Sequence, residues 1–334
     1  MREKKTLLRN PVILIFTLIL LSAGPALAQK KTELAFNNNH IFKIVQFTDI
    51  HWKNNSANTN ATIETIQNTL KTEKPQLVII TGDIVVDSPA IDGWKAISQI
   101  FEKAEIPWAI TLGNHDSEPG ITPEEIFDFL EKTTFFIGQK GPDLYGCGNY
   151  AIAINKSSDN EVAAVIYCFD SNAYWYDGKE KNYDWIRFDQ IGWYRETSDA
   201  YTSSNNHTPI PSLAFFHIPL PEFYEVPNDS SIVGIKNEGV ASARINSGLF
   251  ASFIEKKDVM GVFVGHVHDD NFIGVNHGIA LAFGQVTGAD AYSRLERGAR
   301  VIELHEGKHS FDTWIRTNEG TAYQFSYGLS DRSL

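Results

Sequence analysis

The sequence predicts an α/β protein in which two packed β-sheets carry helices on their outer sides. Three observations lead there. Short β-rich runs alternate with amphipathic helical stretches between Phe42 and Glu125, the pattern of βαβ units in a largely parallel sheet. Further apolar strands crowd the region from Tyr150 to Leu304. A composition of 43% hydrophobic, 12% aromatic and 21% charged residues in 334 supplies an ample core and excludes disorder, collagen and coiled coil.

Phe42 to Phe47 is the first expected strand. Ile63, Ile66 and Leu70 then fall at helical spacing, and Pro75 stops that helix before the apolar strand Leu77 to Ile80. A helix around Trp94 to Phe101 leads to a strand at Trp108 to Leu112. Thr122, Pro123 and Glu125 then form a capping box that opens the next helix. Tyr150 to Ile154 and Val162 to Phe169 read as a hairpin across the turn-rich run from Asn155 to Asn160. Pairing residue 154 with 161 sets Cys147 opposite Cys168, so an exported chain could join them; the alternative is two unrelated buried thiols. Strands at Ser212 to Phe216, Val259 to Val264, Ile279 to Phe283 and Ala299 to Leu304 complete the set. No long Pro/Gly/Ser linker divides the chain, which predicts one domain over residues 41–325 behind a leader at 29–40.

Residues 1–28 read as a signal peptide. Arg2, Lys4, Lys5 and Arg9 make a basic start, Val12 to Leu21 an apolar stretch too short for a comfortable transmembrane helix, and Ala26-Leu27-Ala28 a small-residue cleavage site. The expected location is therefore periplasmic or secreted. Removing that segment takes away four basic residues and one acid, moving the net charge from −12 to −15. Such an acidic body repels nucleic acid and anionic membranes unless a metal or a local basic patch inverts the field, so no stable nucleic-acid partner and no membrane attachment after cleavage are expected. Two cysteines exclude zinc sites built from cysteine clusters, leaving His, Asp, Asn and Glu as available ligands.

Those residue types gather where strands end. Val45-Gln46-Phe47 runs into Asp49-Ile50-His51, Val78 to Thr81 into Gly82-Asp83, and Ala109 to Leu112 into Gly113-Asn114-His115-Asp116. Ala214 to Phe216 ends in His217, and Gly261 to Val264 in Gly265-His266-Val267-His268. Residues two apart in an extended segment point to one side, so Asp-x-His and His-x-His pairs can each straddle one centre. The collected oxygen and imidazole donors suit Zn, Mn or Fe and are numerous enough for two ions.

In that order the motifs D-x-H, G-D, G-N-H-D, H and G-H-x-H resemble the signature of the calcineurin-like metallophosphoesterases. The resemblance implies a four-layer αββα sandwich with two central mixed sheets. It implies that Asp49, His51, Asp83 and His268 hold one metal, that Asn114, His217 and His266 hold the other, and that Asp83 bridges them. His115 is implied as the catalytic acid beside the substrate phosphate, with Asp116 orienting His115 or capping a turn. A narrower likeness, to the small purple acid phosphatase-like branch of plants, fungi and bacteria, rests on His217 to Phe223, on Glu238-Gly239-Val240 through Asn246-Ser247-Gly248, and on Arg297 to Val301. Purple enzymes place a tyrosine ligand three residues after the bridging Asp, where this chain has Val86, and they lack the histidine that is kept here as His51. A divalent pair is then as plausible as a mixed-valence one. The implied reaction is hydrolysis of small phosphate monoesters by in-line attack of a hydroxide held between two cations, with a phosphodiesterase or nucleotide hydrolase on the same site, or a non-catalytic metal-dependent binding module, as alternatives. Tyr174-Trp175-Tyr176 with Tyr183 and Trp185 read equally as a substrate-stacking lid or as packed surface loop.

Overall fold

In a computed structural model, residues 33–328 are described, so the signal reading at 1–28 lies outside the described residues. The first βαβ region is built as β1 (Ile41–Phe47), α1 (Thr59–Glu73), β2 (Leu77–Thr81), α2 (Ala90–Ala104), β3 (Trp108–Thr111) and α3 (Pro123–Leu130). Then come β4 (Tyr150–Asn155), β5 (Val162–Cys168), a hairpin of β6 (Tyr174–Tyr176) and β7 (Lys181–Tyr183), α4 (Phe188–Ser204) and β8 (Ser212–Phe215). The remainder is α5 (Leu249–Lys256), β9 (Val259–Val264), β10 (Ile273–Asn276), β11 (Ile279–Phe283), β12 (Gly298–His305), β13 (Ser310–Thr317) and β14 (Gly320–Gly328).

Two six-stranded sheets result, in the orders β14-β13-β12-β1-β2-β3 and β10-β11-β9-β8-β5-β4. Both are mixed: β1, β2 and β3 run parallel while β12 is antiparallel to β1, and β5, β8, β9 and β11 run parallel while β4 and β10 are antiparallel at the edges. The layering follows from the period of two along each strand. In β5, Ala164, Ile166 and Cys168 join the core shared by the two sheets, whereas Val165 and Tyr167 pack outward with Tyr194 of α4 and Phe253 of α5. Strands covered on both faces read as continuous apolar runs, as in Val259–Val264, where every residue is buried. Helices α1 and α2 supply Ile66, Leu70, Trp94, Ile97 and Phe101 to the first sheet, and Phe101 stacks on Trp108 with ring centroids 5.0 Å apart. Each such fully buried large side chain stabilises the fold by about 1.5–3 kcal/mol.

The capping box forms as expected: Thr122 accepts the Glu125 amide and Glu125 reaches back to the Thr122 amide. The hairpin register differs from the sequence reading. Tyr150, not Cys147, faces Cys168, because the six-residue connection starts one residue later than read, which moves the pairing by two, and a slip between Ile154 and Asn155 moves it by one more. Cys147 lies before β4 with its amide on Asp170, and both cysteines are buried free thiols, so the disulfide is not formed. Burial pushes each thiol up to about 12. Strands β6, β7, β10, β13 and β14 were not foreseen. At the start of the described chain, Leu34 and Phe36 are buried in the core, and the Phe36 amide donates to the Asn155 carbonyl.

Candidate metal centre

The five motifs lie on loops that follow β1, β2, β3, β8 and β9, so ligands from both sheets meet at one end of the sandwich. The loops are tightly built. Asp49, His51, Asp83 and His266 all have positive φ, between 46° and 77°, a conformation that non-glycine residues hold only when the surroundings over-determine it. Those surroundings are visible: the Asp49 amide donates to Gly82, the His51 amide to Asp83 and the Trp52 amide to Ile84. Gly82, at φ +78°, lies against the His217 ring where a Cβ would collide, and a Cβ on Gly113 would strike the Asp83 carboxylate.

Two groups of side chains converge. Asp49, His51 and His268 form one, Asp83, His217 and His266 the other, and within each the potential ligand atoms lie within 4.8 Å of one another. His268 Nε2 is 3.1 Å from Asp49 Oδ1, and His217 Nε2 is 3.1 Å from Asp83 Oδ2. That same Asp83 oxygen lies 3.7 Å from His51 Nε2, which sets Asp83 between the groups. The His217 Nδ1–H donates to the Thr81 carbonyl at 2.7 Å and the His268 Nδ1–H to the Tyr292 carbonyl at 2.9 Å. A carbonyl only accepts, so each ring turns its Nε2 into the site.

The polar atoms left over show that these residues fit a pair of cations. Asn114 Oδ1, His51 Nε2 and His266 Nε2 are buried with no hydrogen-bond partner, and a buried lone pair left unmatched costs about 1–3 kcal/mol. An oxygen and imidazole set of this kind suits Zn, Mn or Fe. The electrostatics agree. Burial alone would raise Asp49, yet the adjacent His268 pulls it down to about 2. Asp83 is likewise held well below the carboxylate range by His217 against its own burial. Burial lowers His51 to about 4, and burial with the neighbouring His217 charge lowers His266 to about 3, which keeps both imidazoles neutral and ready to ligate. Burial would also lower His217, but Asp83 lifts it to about 9, so a proton occupies a place that a cation can take.

His115 stands at the rim. Its side chain is 36% exposed, its amide donates to Asp83 Oδ1 at 2.8 Å, and its Nε2 lies 4.0 Å from Asp83 Oδ2. Asp116 does not touch the His115 ring; of its two expected roles it performs the turn-capping one, accepting the amides of Ile84, Val85 and Gly113. Glu118 holds the ring instead, with Oε2 2.6 Å from Nδ1. Glu118 was missed in the sequence, although its position three residues after His115 is the signal that could have found it. Asp269 and Asp270 are buried and accept hydrogen bonds from the 293–294 and 237–238 loops, so both brace the His268 loop from behind. His207 and His277 are exposed.

The aromatic segment lies over the second ligand group. The Tyr183 ring edge meets His266 at 4.5 Å, and the Tyr174 hydroxyl takes a hydrogen bond from Asn114 Nδ2 at 2.8 Å. On the other side Tyr292 covers His268 at 4.1 Å and donates its hydroxyl proton to Glu238. Val86 occupies the third place after Asp83.

The calcineurin-like phosphoesterase family model matches residues 42–270. The chain is 32% identical to probable inactive purple acid phosphatase 29 of Arabidopsis thaliana over 91% of this chain and 86% of that protein. It is 29% identical to phosphatase DCR2 of Saccharomyces cerevisiae over 83% of this chain and 54% of that longer protein. Its fold is similar to that of a dimetal phosphatase from Danio rerio, with a TM-score of 0.60 and 11% identity over 86% of this chain and 99% of the other. With its motif order, its two ligand groups and this match, the chain belongs to the calcineurin-like phosphoesterase family.

Proposed function

We propose that this protein is an exported phosphatase that hydrolyses small phosphate monoesters at a two-ion centre. The observation that carries the reading is the position of Asp83, a member of the second ligand group that also reaches His51 of the first, with His115 beside it at the exposed rim. Asp49, His51 and His268 would hold one ion, Asn114, His217 and His266 the other, and Asp83 both. Bound there, such ions supply Lewis acidity and offset the charge of an anionic ester in an otherwise acidic protein. The chain's own residues do the rest. His115 reaches the rim from a backbone anchored on Asp83 and hands a proton to the departing alcohol oxygen, while Glu118 keeps the ring turned. Tyr183 and Tyr292 wall the centre with apolar ring surface and limit water around the ester. The phosphatase names of the relatives favour monoesters over diesters, and the presence of every ligand and of His115 favours catalysis over mere binding. Export rests on the sequence reading of residues 1–28.

The test is hydrolysis by metal-depleted protein of an aryl phosphate monoester and its diester, with Mn, Zn or Fe restored singly. Metal-dependent turnover of the monoester is expected, with His115→Ala losing turnover of an alkyl phosphate, whose leaving group needs the proton, by about 10²-fold or more while retaining its ions. Preference for the diester would make the protein a phosphodiesterase. Bound ions with no turnover of either would reduce it to a binding module.

A further inference from the structure

Among the expected oxygen ligands, Asn114 is the one whose side chain has a wrong way round. An amide can coordinate through Oδ1 but not through its NH₂, and the two ends differ only by a half-turn about the last bond. In this structure the NH₂ end is held from outside the ligand loops. Nδ2 donates to the Tyr174 hydroxyl at 2.8 Å, and Oδ1 is left buried and unpartnered. Tyr174 is itself fixed: it stacks on its cross-strand partner Tyr183 at 5.8 Å and 23°, and Lys181 Nζ lies 3.3 Å from its ring centroid. Lys181 is also 4.0 Å from Glu118, the residue that holds His115.

We propose that Tyr174 is a positioning residue for the second metal group, its hydroxyl occupying the NH₂ end of Asn114 so that Oδ1 is presented to a cation. The β6–β7 hairpin is thus neither a loose lid nor inert packing; it is the outer support of one ligand. This rests on the two-ion reading, and the experiment separates the two. Calorimetric titration of metal-depleted protein with Zn is run on wild type, Tyr174→Phe, Asn114→Asp and the double variant, with near-ultraviolet circular dichroism as the check on folding. Wild type takes up two ions. Tyr174→Phe weakens one of the two by about 10- to 100-fold, the usual effect of removing a group that orients a ligand, and leaves the other unchanged. In the Asn114→Asp background the added Tyr174→Phe change costs much less, because a carboxylate has no wrong end. An equal loss in both backgrounds would make Tyr174 mere packing and overturn the proposal, as would unchanged Zn affinity in Tyr174→Phe. A phenolate charge-transfer band in Fe-loaded protein that disappears in Tyr174→Phe would also overturn it, since the oxygen would then ligate directly. Wild type that binds fewer than two ions would sink the two-ion reading itself, and this proposal with it.

Discussion

Asp116 Oδ1 accepts the backbone amide of Ile84 at 2.8 Å, tying the loop after β3 to the loop after β2. The same carboxylate takes Val85 and Gly113, so the segments that carry Asn114 and Asp83 move as one piece. Asp116→Ala strands three buried amides at once. The variant is expected to lose about 3 kcal/mol or more in urea denaturation. A loss under about 1 kcal/mol would mean that the loops hold each other without it.

Glu118 holds the His115 ring through Oε2 and reaches Lys181 through Oε1. Glu118→Gln keeps the shape and removes the charge, and it is expected to lower kcat about tenfold on alkyl phosphates and far less on an aryl phosphate whose leaving group needs no proton. Metal content is expected to stay constant. Steady-state kinetics on the two ester types decides it; equal losses on both would assign Glu118 to structure rather than to proton delivery.

Asp170 carries a prediction for stability against pH. Burial raises its carboxyl from 3.8 to about 6, against the pull of the Cys147 and Asn172 amides. Between those values the folded state keeps a proton that the unfolded state has released, so this group's contribution is present at low pH and is lost as pH rises through about 6. Across that window the loss amounts to about 3 kcal/mol. Asp170→Asn has no proton to lose, so the stability of the variant minus that of wild type should climb from pH 4 to pH 7. Urea denaturation at four pH values measures that difference, and a flat profile would contradict the raised carboxyl.

Chelation offers a fourth check. Without ions, the centre keeps unmatched lone pairs on Asn114 and His51 beside buried carboxylates. Adding Zn or Mn at about a thousandfold over its Kd is expected to stabilise the fold by about 4 kcal/mol, seen as a higher Tm than in chelator. His268→Ala should remove part of that gain, and a Tm insensitive to metal would argue against ligation at these residues.

The candidate ligands were legible because each of them ends an apolar strand, and strand ends leave a plain mark in the chain: Phe47 before Asp49, Thr81 before Asp83, Val264 before His266. Contacts made at a distance leave no such mark. Nothing near Asn114 announces Tyr174, sixty residues on, and Asp116 looks as able to face His115 as to take backbone amides. The sheets followed the same division. Strands buried on both faces, such as Leu77–Thr81, stood out as apolar runs. Half-exposed β13 and β14 did not, since β13 buries only Phe311, Thr313 and Ile315 and β14 only Tyr327, and α4 shows only a thin apolar stripe at Ile191 and Tyr194. The β4–β5 register failed for local reasons, since neither a connection starting one residue later nor a slip at Asn155 can be counted from turn composition.

Asp49 and His268 touch across 219 residues of chain, and His217 meets Asp83 from the opposite sheet. Either ligand group is therefore a stitch between the beginning and the end of the polypeptide. A chain still being made, or cut before β9, owns at most two of the three ligands in each group. Ions held at these groups would then be captured late in the molecule's life, a seal set on finished tertiary structure rather than a seed around which it grows.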